Sequence, residues 1–440
     1  MNYEEARAYV RQAETKGSIL GLENIKRLME ELGNVQDKLN VLHIAGTNGK
    51  GSTLAYISEI LKQAGYKVGK YTSPAVFDYL ELFMINNEKI EEKCYAENMS
   101  IIEQAVTRIV AAGYEPPTGF EIETALAYLY FYREKCDIVL IETGMGGDMD
   151  ATNVVNNTLL SIITPISPDH MQFLGDTIRE ISIHKAGIIK KNSAVISSIQ
   201  EKDAEDEIKK AAKKKGAMYI QAGMPKNIVY EENKTIFEYV SADNTRFERL
   251  ETSMLGTFQP CNVCVAVEAV LYLKKKGFII SNDIIRAGIY SALWHGRFEK
   301  LGESPRIYLD GGHNPGAAVH IKKSIEIYFT NRKIIYIIGV LADKNYDSVL
   351  KQTAEPADEI ITVTPNNKRA LSGEVLRDTA KKYNQNVSSV PSIEMAVDKA
   401  IQHAGETGVI MIFGSLSFLK EVREYYTESI DRKTHRQGNE

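Results

Sequence analysis

The run Val41-Leu42-His43-Ile44-Ala45-Gly46 constrains this chain more than any other stretch. A short apolar segment ends in glycine, a polar Gly-rich loop follows, and a helical pattern then begins, which reads as strand, loop, helix. Further strands are predicted at Tyr66–Tyr71, Asp137–Glu142, Leu159–Thr164 and Ala194–Ser198. Helical patterns at Glu121–Glu134, Asp176–Lys190 and Ala204–Lys215 separate them. Strands that alternate with helices call for a mostly parallel sheet covered on both faces. Between Asn227 and Glu251 the residues alternate around turns at Glu232–Asn233 and Asp243–Asn244, which predicts a small antiparallel sheet. After Trp294 a second strand–helix series starts, with strands in RIYLDG, RKIIYIIGV, DEIITVT and GVIMIFG. The chain therefore reads as two α/β domains with a linker around His295–Arg297.

Composition narrows the class. Across 440 residues, 53 Lys and Arg stand against 58 Asp and Glu, so no basic excess points to nucleic acid. Apolar runs such as Ile334–Ala342 fall far short of the ~20 residues a membrane span needs, and the start lacks a secretory pattern. Four cysteines are too few for a disulfide framework, which fits a reducing cytoplasm. Cys261 and Cys264 form a CxxC without further zinc ligands nearby and read as small core residues of a helix. The Lys-rich patches at 209–215 and 274–276 read as solvated helix ends, and 431–440 as a frayed tail.

The loop after the first strand is Gly46-Thr47-Asn48-Gly49-Lys50-Gly51-Ser52-Thr53. It is not a Walker A motif, which needs four residues before its Gly-Lys. The physics is nonetheless that of phosphate binding: glycines let backbone N–H groups close on phosphate oxygens, Lys50 adds a point charge, and a helix N-terminus follows. An ATP site is the expectation.

Glu142 ends the strand DIVLIE beside the loop TGMGGDMDATN, and Asp169 and His170 follow another strand directly. Acidic groups at that end of a parallel sheet face the ligand crevice, so Glu142 and His170 are candidate magnesium ligands. A strand-end carboxylate capping a loop and a satisfied histidine are equally open readings. Lys185, in HKAGIIK, reads on composition as a surface helix lysine. Further along, Asp310, His313 and Asn314 cluster where a strand turns into a helix. Arg297 stands at the presumed hinge, and a Gly-Ser pair follows the last strand.

Taken in order, these stretches resemble the folylpolyglutamate synthases, including the bifunctional dihydrofolate synthases, of the Mur ligase superfamily. The matching stretches are GLENIKRLMEELGN, HIAGTNGKGST, YTSP, GFEIETALAY, IETGMGG…DATN, PDHMQFLGDT, HKAGIIK, LGTFQPCN, WHGRFE, LDGGHNP, LADK and FGSLSF. The resemblance implies a P-loop-type domain over residues 1–296, mostly parallel with a small antiparallel sheet. A smaller Rossmann-like α/β glutamate-ligase domain over 297–440 closes with it over a cleft. It implies that Thr47, Asn48, Gly49, Lys50, Gly51, Ser52, Asn262, Arg297 and Asp310 contact ATP. Ser73, Glu142, His170 and a carbamylated Lys185 would hold two magnesium ions. Lys50, Glu142, His170 and Lys185 become the catalytic set, and Phe120, Glu121, Asp150, His313 and Ser415 contact the folate or the incoming L-glutamate. The implied reaction is ATP-dependent ligation of glutamate to a folate through an acyl phosphate, in a cytoplasmic monomer without nucleic-acid or membrane partners.

The chain departs from that pattern in places. Ala75 stands where the family has His, Leu80-Glu81-Leu82-Phe83 replaces an Asn-Glu-Arg-Ile run, and Asp148 replaces an Arg. Thr257-Phe258 and Gly312 also differ. These changes concentrate in loops the family uses near the pterin substrate, and a reversed charge at Asp148 is expected to matter to an anionic substrate. Two other readings stand beside the first: a Mur-type ligase with another carboxylate acceptor, and a silent nucleotide-binding protein. The second predicts erosion of Lys50, Glu142, His170 and Lys185, all of which are present.

Overall fold

A strand covered on both faces has to bury every residue, and all five residues of β1 (Val41–Ala45) are buried. The computed structural model describes residues 1–15, 17 and 19–437. In it β1 is followed by β2 (Val68–Tyr71), β3 (Phe83–Ile85), β4 (Glu88–Lys89), β5 (Ile138–Glu142), β6 (Leu160–Ile163), β7 (Ala194–Ser197) and β8 (Met218–Gln221). These eight form one sheet in the order β4-β3-β2-β5-β1-β6-β7-β8. From β2 to β8 every neighbouring pair is parallel, and only the β3 and β4 edge runs antiparallel. β1 thus lies between β5 and β6, which are joined by a connection that passes over it. That arrangement opens a crevice at the carboxyl ends of the central strands.

The helices of this part are α1 (Tyr3–Glu14), α2 (Glu23–Glu31), α3 (Lys50–Gln63), α4 (Glu92–Ala111), α5 (Gly119–Arg133), α6 (Met171–Leu174), α7 (Ile178–Ala186) and α8 (Lys202–Lys215). α1 and α2 pack on α4 and α5 around Ile25, Leu28, Met99, Leu126 and Phe131. α7 and α8 pack around Ile163, Ile181, Val195 and Ile208. α7 is shorter at both ends than its sequence pattern predicts. A reciprocal cap between Thr177 and Glu180 starts it, and Gly187 follows its last residue.

The strands β9 (Lys226–Tyr230), β10 (Thr235–Val240) and β11 (Arg246–Thr252) form the small predicted sheet, in the order β11-β10-β9. Connections this short require antiparallel pairing. Next come α9 (Gln259–Lys275) and α10 (Asn282–Ser291), then β12 (Glu299–Glu303), β13 (Arg306–Asp310), α11 (Pro315–Tyr328), β14 (Ile334–Ile338), β15 (Glu359–Thr362), β16 (Val387–Ser389) and β17 (Val409–Phe413). The last six strands form a second sheet, ordered β12-β13-β17-β14-β15-β16, parallel except at the β12 edge.

The chain divides into two compact units. The first holds 1–227, 237–251 and 260–292; the second holds 228–236, 252–259 and everything from Leu293. The second unit therefore takes two short segments that the sequence reading leaves in the first domain. Local bonds explain it: Thr235 and Tyr328 share a hydroxyl hydrogen bond at 2.8 Å, Glu232 pairs with Arg306, and the Thr257 amide donates to Ser324 Oγ at 3.0 Å. The predicted frayed tail is also corrected. A helix runs Leu419–Gln437, through 431–437, while 438–440 lie outside the described residues. No helix among the described residues is long and apolar enough to cross a membrane.

Ile44, fully buried in the central strand, should be costly to truncate. Ile44→Ala is expected to lower stability by about 2–5 kcal/mol, read from the first denaturant transition.

Candidate active site

The site is built at the carboxyl ends of β2, β5, β1 and β6. Register aligns Ile44 with Glu142 and Ala45 with Ile163, so Gly46, Thr143 and Thr164 leave the sheet side by side. The phosphate-type loop is held from one side: Thr47 and Asn48 donate their amides to the Pro165 carbonyl at 2.9 and 3.2 Å. The Thr47 hydroxyl donates to the Ser167 carbonyl at 2.9 Å and accepts from the Ser167 amide at 3.0 Å. Asn48 Nδ2 reaches Ser167 Oγ at 3.3 Å. The first intrahelical bond of α3 runs from Thr53 N–H to the Gly49 carbonyl at 2.9 Å. The amides of Gly49, Lys50 and Gly51 lie ahead of it, where a helix N-terminus receives anions. Gly49 has φ +88°, and a Cβ there would stand 2.5 Å from Asn262 Oδ1, so glycine is required and Asn262 of α9 is brought to the loop.

Two lysines converge behind the loop. Lys50 Nζ donates to the Gly46 carbonyl at 3.2 Å and to that of Thr47 at 3.4 Å, and stands 3.7 Å from Glu142 Oε1. Lys185 Nζ donates to the same Gly46 carbonyl at 2.8 Å. The surface reading of Lys185 is therefore corrected: it is 4 % exposed, because α7 turns this residue inward against the loop. Burial, reinforced by Lys50, brings its ammonium pKa from 10.5 down to about 7. His170 is a half-turned residue, φ +52°, at the start of α6; it is 39 % exposed and its Nε2 stands 3.9 Å from Asp169 Oδ2. Ser73 lies two residues beyond β2, next to the strand that delivers Glu142. Among the described residues no three His, Cys, Asp or Glu side chains stand together as a metal cluster. Glu142 is buried at the end of β5; its carboxylate and the Ser73 hydroxyl are the oxygen donors magnesium accepts, whereas the His170 nitrogen is an unusual donor for it.

The Gly-rich loop after Glu142 is braced from inside. Asp150 is buried; Oδ2 accepts from the Met145 amide at 2.7 Å and Oδ1 from the amide and hydroxyl of Thr152. Because the Thr152 hydroxyl donates to Asp150, His43 Nε2 must be the donor in its 2.8 Å contact with Thr152 Oγ1. His43 is neutral, its pKa brought to about 3 by burial. Glu121, assigned to substrate by resemblance, has a structural part: its Oε2 accepts from the Thr118 amide at 2.8 Å and hydroxyl at 3.0 Å, closing a helix cap. Phe120 lies beside Tyr71, ring centroids 6.3 Å apart. The departures from the family pattern also serve the fold. Glu81 accepts from the amides of Val76, Phe77 and Asp78, and Asp148 pairs with His184 Nδ1 at 2.9 Å. Sequence reasoning flagged Asp148 but missed His184, Thr152 and His43, since no local pattern links residues so far apart.

In the second unit the polar cluster forms at the ends of β13 and β17, whose residues Asp310 and Phe413 are in register. Asp310 is buried and accepts from the amides of Gly312 (2.6 Å) and Phe298 (2.9 Å). Burial pushes its carboxyl up and the Arg297 guanidinium opposes that push. His313 Nδ1 donates to the Gly311 carbonyl at 2.8 Å, Asn314 caps α11, and Ser415 is buried just past β17. Cys261 and Cys264 form no disulfide, and Cys264 is buried with its thiol raised far above the usual range, as a core residue.

The class follows from both units: residues 44–270 match the Mur ligase middle domain and residues 296–416 the Mur ligase glutamate ligase domain. A Bacillus subtilis dihydrofolate synthase/folylpolyglutamate synthase is 34% identical over 96% of this chain and 98% of its own length. A Thermotoga maritima folylpolyglutamate synthase structure is 30% identical, with a TM-score of 0.81 over 97% of this chain and 96% of that one. An Escherichia coli protein solved with DHPP and ADP is 29% identical, with a TM-score of 0.85 over 99% of both chains. The chain belongs to the folylpolyglutamate synthase/dihydrofolate synthase family of Mur ligases, a family of ATP-dependent ligases.

A lysine buried at a pKa near 7 carries a pH signature. Between about 7 and 10.5 the unfolded chain binds the extra proton, so stability rises with pH there. Lys185→Met should therefore exceed wild type in stability most below pH 7, with the gap closing as pH rises towards 10.5, by chemical denaturation.

Proposed function

We propose that this protein ligates L-glutamate to a folate carboxylate at the expense of ATP, through an acyl phosphate. The observation that carries the reading is the convergence of Lys50 and Lys185 on the Gly46 carbonyl beside Glu142, at the start of α3. ATP binds with its phosphates at the amides of Gly49–Gly51 and with Lys50 as point charge; its binding is also supported by the relative solved with ADP. Thr47, Asn48, Ser52 and Asn262 complete the phosphate side, and the resemblance adds Arg297 and Asp310 as further ATP contacts.

Ser73, Glu142 and His170 would hold magnesium, and a carbamylated Lys185 a second ion. When bound, these ions neutralise charge on the phosphoryl group in transfer and on the leaving ADP. Lys50 stabilises the γ-phosphoryl as a folate carboxylate oxygen attacks it, forming an acyl phosphate and releasing ADP. The glutamate amine, oriented by His313 and Ser415, then attacks the acyl carbon, and phosphate leaves as the amide forms. Phe120 and the Asp150-braced loop line the folate side. Loss of one proton near neutrality leaves Lys185 able to add CO2, which converts a cation into an anion. The same reading makes the protein a cytoplasmic monomer acting on small molecules.

Phosphate release from Mg-ATP, with glutamate and a panel of acceptors, tests the assignment. Glutamate-dependent turnover with tetrahydrofolate is the expected result; turnover only with another acceptor would overturn it. Lys50→Ala and His170→Ala are each expected to abolish turnover while far-UV circular dichroism and the unfolding midpoint stay close to wild type. In 13C NMR with labelled bicarbonate, a carbamate signal should grow as pH rises through 7 and be missing in Lys185→Arg.

A further inference from the structure

Asp148 is the departure with the largest change of charge, and its surroundings give it a partner. Its carboxylate oxygens accept from His184 Nδ1 at 2.9 and 3.1 Å. Its own amide donates to the His184 carbonyl at 2.9 Å, the same carbonyl that takes the Gly187 amide at 3.1 Å. Asn153 Nδ2 bridges the Asp148 and Gly187 carbonyls at 3.0 and 3.4 Å. The approach is close: a Cβ on Gly147 would stand 2.6 Å from the His184 carbonyl oxygen and 3.0 Å from Lys185 Cα. The loop therefore covers the last turn of α7, where carbonyls lack intrahelical donors, and Asp148 supplies one of them. His184 immediately precedes Lys185, whose Nζ is fixed on Gly46 at 2.8 Å.

We propose that Asp148 and His184 form a clamp between the Gly-rich loop and α7 that sets the position of Lys185. Asp148 is then a positioning residue, not a contact to substrate. Its carboxylate faces an imidazole N–H of α7 inside the same unit. The clamp also explains how Asp can stand here: a carboxylate reaches a histidine donor on the neighbouring helix. The catalytic consequence rests on the reading of Lys185 above, whereas the clamp itself does not.

Two measurements separate these levels. Amide hydrogen exchange is read in peptides spanning 144–150 and 182–188 of the full-length protein. Asp148→Ala and His184→Ala should speed exchange in both peptides and leave β1 unchanged. Asp148→Asn, which keeps an oxygen acceptor for His184 Nδ1–H, should stay near wild type. Unchanged exchange in Asp148→Ala overturns the clamp. In steady-state kinetics with tetrahydrofolate, Asp148→Ala and Asp148→Arg should lower kcat by about tenfold or more with the folate KM unchanged. Asp148→Asn should restore most of kcat. A shifted folate KM at unchanged kcat makes Asp148 a substrate contact, and faster exchange with unchanged kcat removes its positioning role; either result overturns the proposal. A wild-type protein inactive on folates defeats the functional reading instead, and the exchange experiment still decides the clamp.

Discussion

One backbone carbonyl organises this site. Gly46 directly follows the central strand β1, and its oxygen accepts from both Lys50 and Lys185. Two ammonium groups held against one oxygen repel each other, and the local carboxylate, Glu142, stands beside Lys50. The conflict is met by the group that is buried: Lys185 titrates near neutrality while Lys50 remains partly open to solvent. The phosphate loop, β5 and α7 are therefore coupled through a single atom. The strand register that aligns Ile44 with Glu142 makes the coupling possible.

The surrounding shell is built to keep that arrangement still. His43 donates to Thr152, Thr152 donates to Asp150, and Asp150 receives the amides of the Gly-rich loop, a chain in which each group fixes the next. Such a buried network is costly when half satisfied and specifying when complete. From the other side, the Asp148–His184 pair fastens the loop to α7. Residues that a comparison of patterns would place near substrate, Glu121 and Asp150 among them, act in this structure on backbone amides. Precise placement of reacting groups is what carboxylate activation needs, since positioning can supply ~7–11 kcal/mol of the barrier in favourable cases.

Much of this was legible in the sequence, for physical reasons. The strands β1, β5 and β6 are short, mostly apolar runs; Glu142 ends β5, and Lys50 and His170 follow in the segments after β1 and β6. The phosphate loop announces itself by glycines and a lysine ahead of a helix. What stayed hidden depends on tertiary contact. Lys185 sits in a helix whose composition suits a surface, and only the loop packed on it makes it buried. The same holds for 228–236 and 252–259, whose allegiance to the second unit comes from Arg306, Ser324 and Tyr328, far along the chain. Likewise α1, α2 and α4 gain their place from an apolar cluster that no single segment displays.

An acyl phosphate stands at the centre of the proposed chemistry, formed when a carboxylate oxygen of the acceptor takes the γ-phosphoryl group. That oxygen must then depart with phosphate when the glutamate amine displaces it. Turnover of a folate labelled with 18O in its terminal carboxylate, followed by mass analysis of the inorganic phosphate, reads this directly. One labelled oxygen in phosphate for each amide formed is the predicted result. Phosphate free of label, with amide still produced, would contradict it.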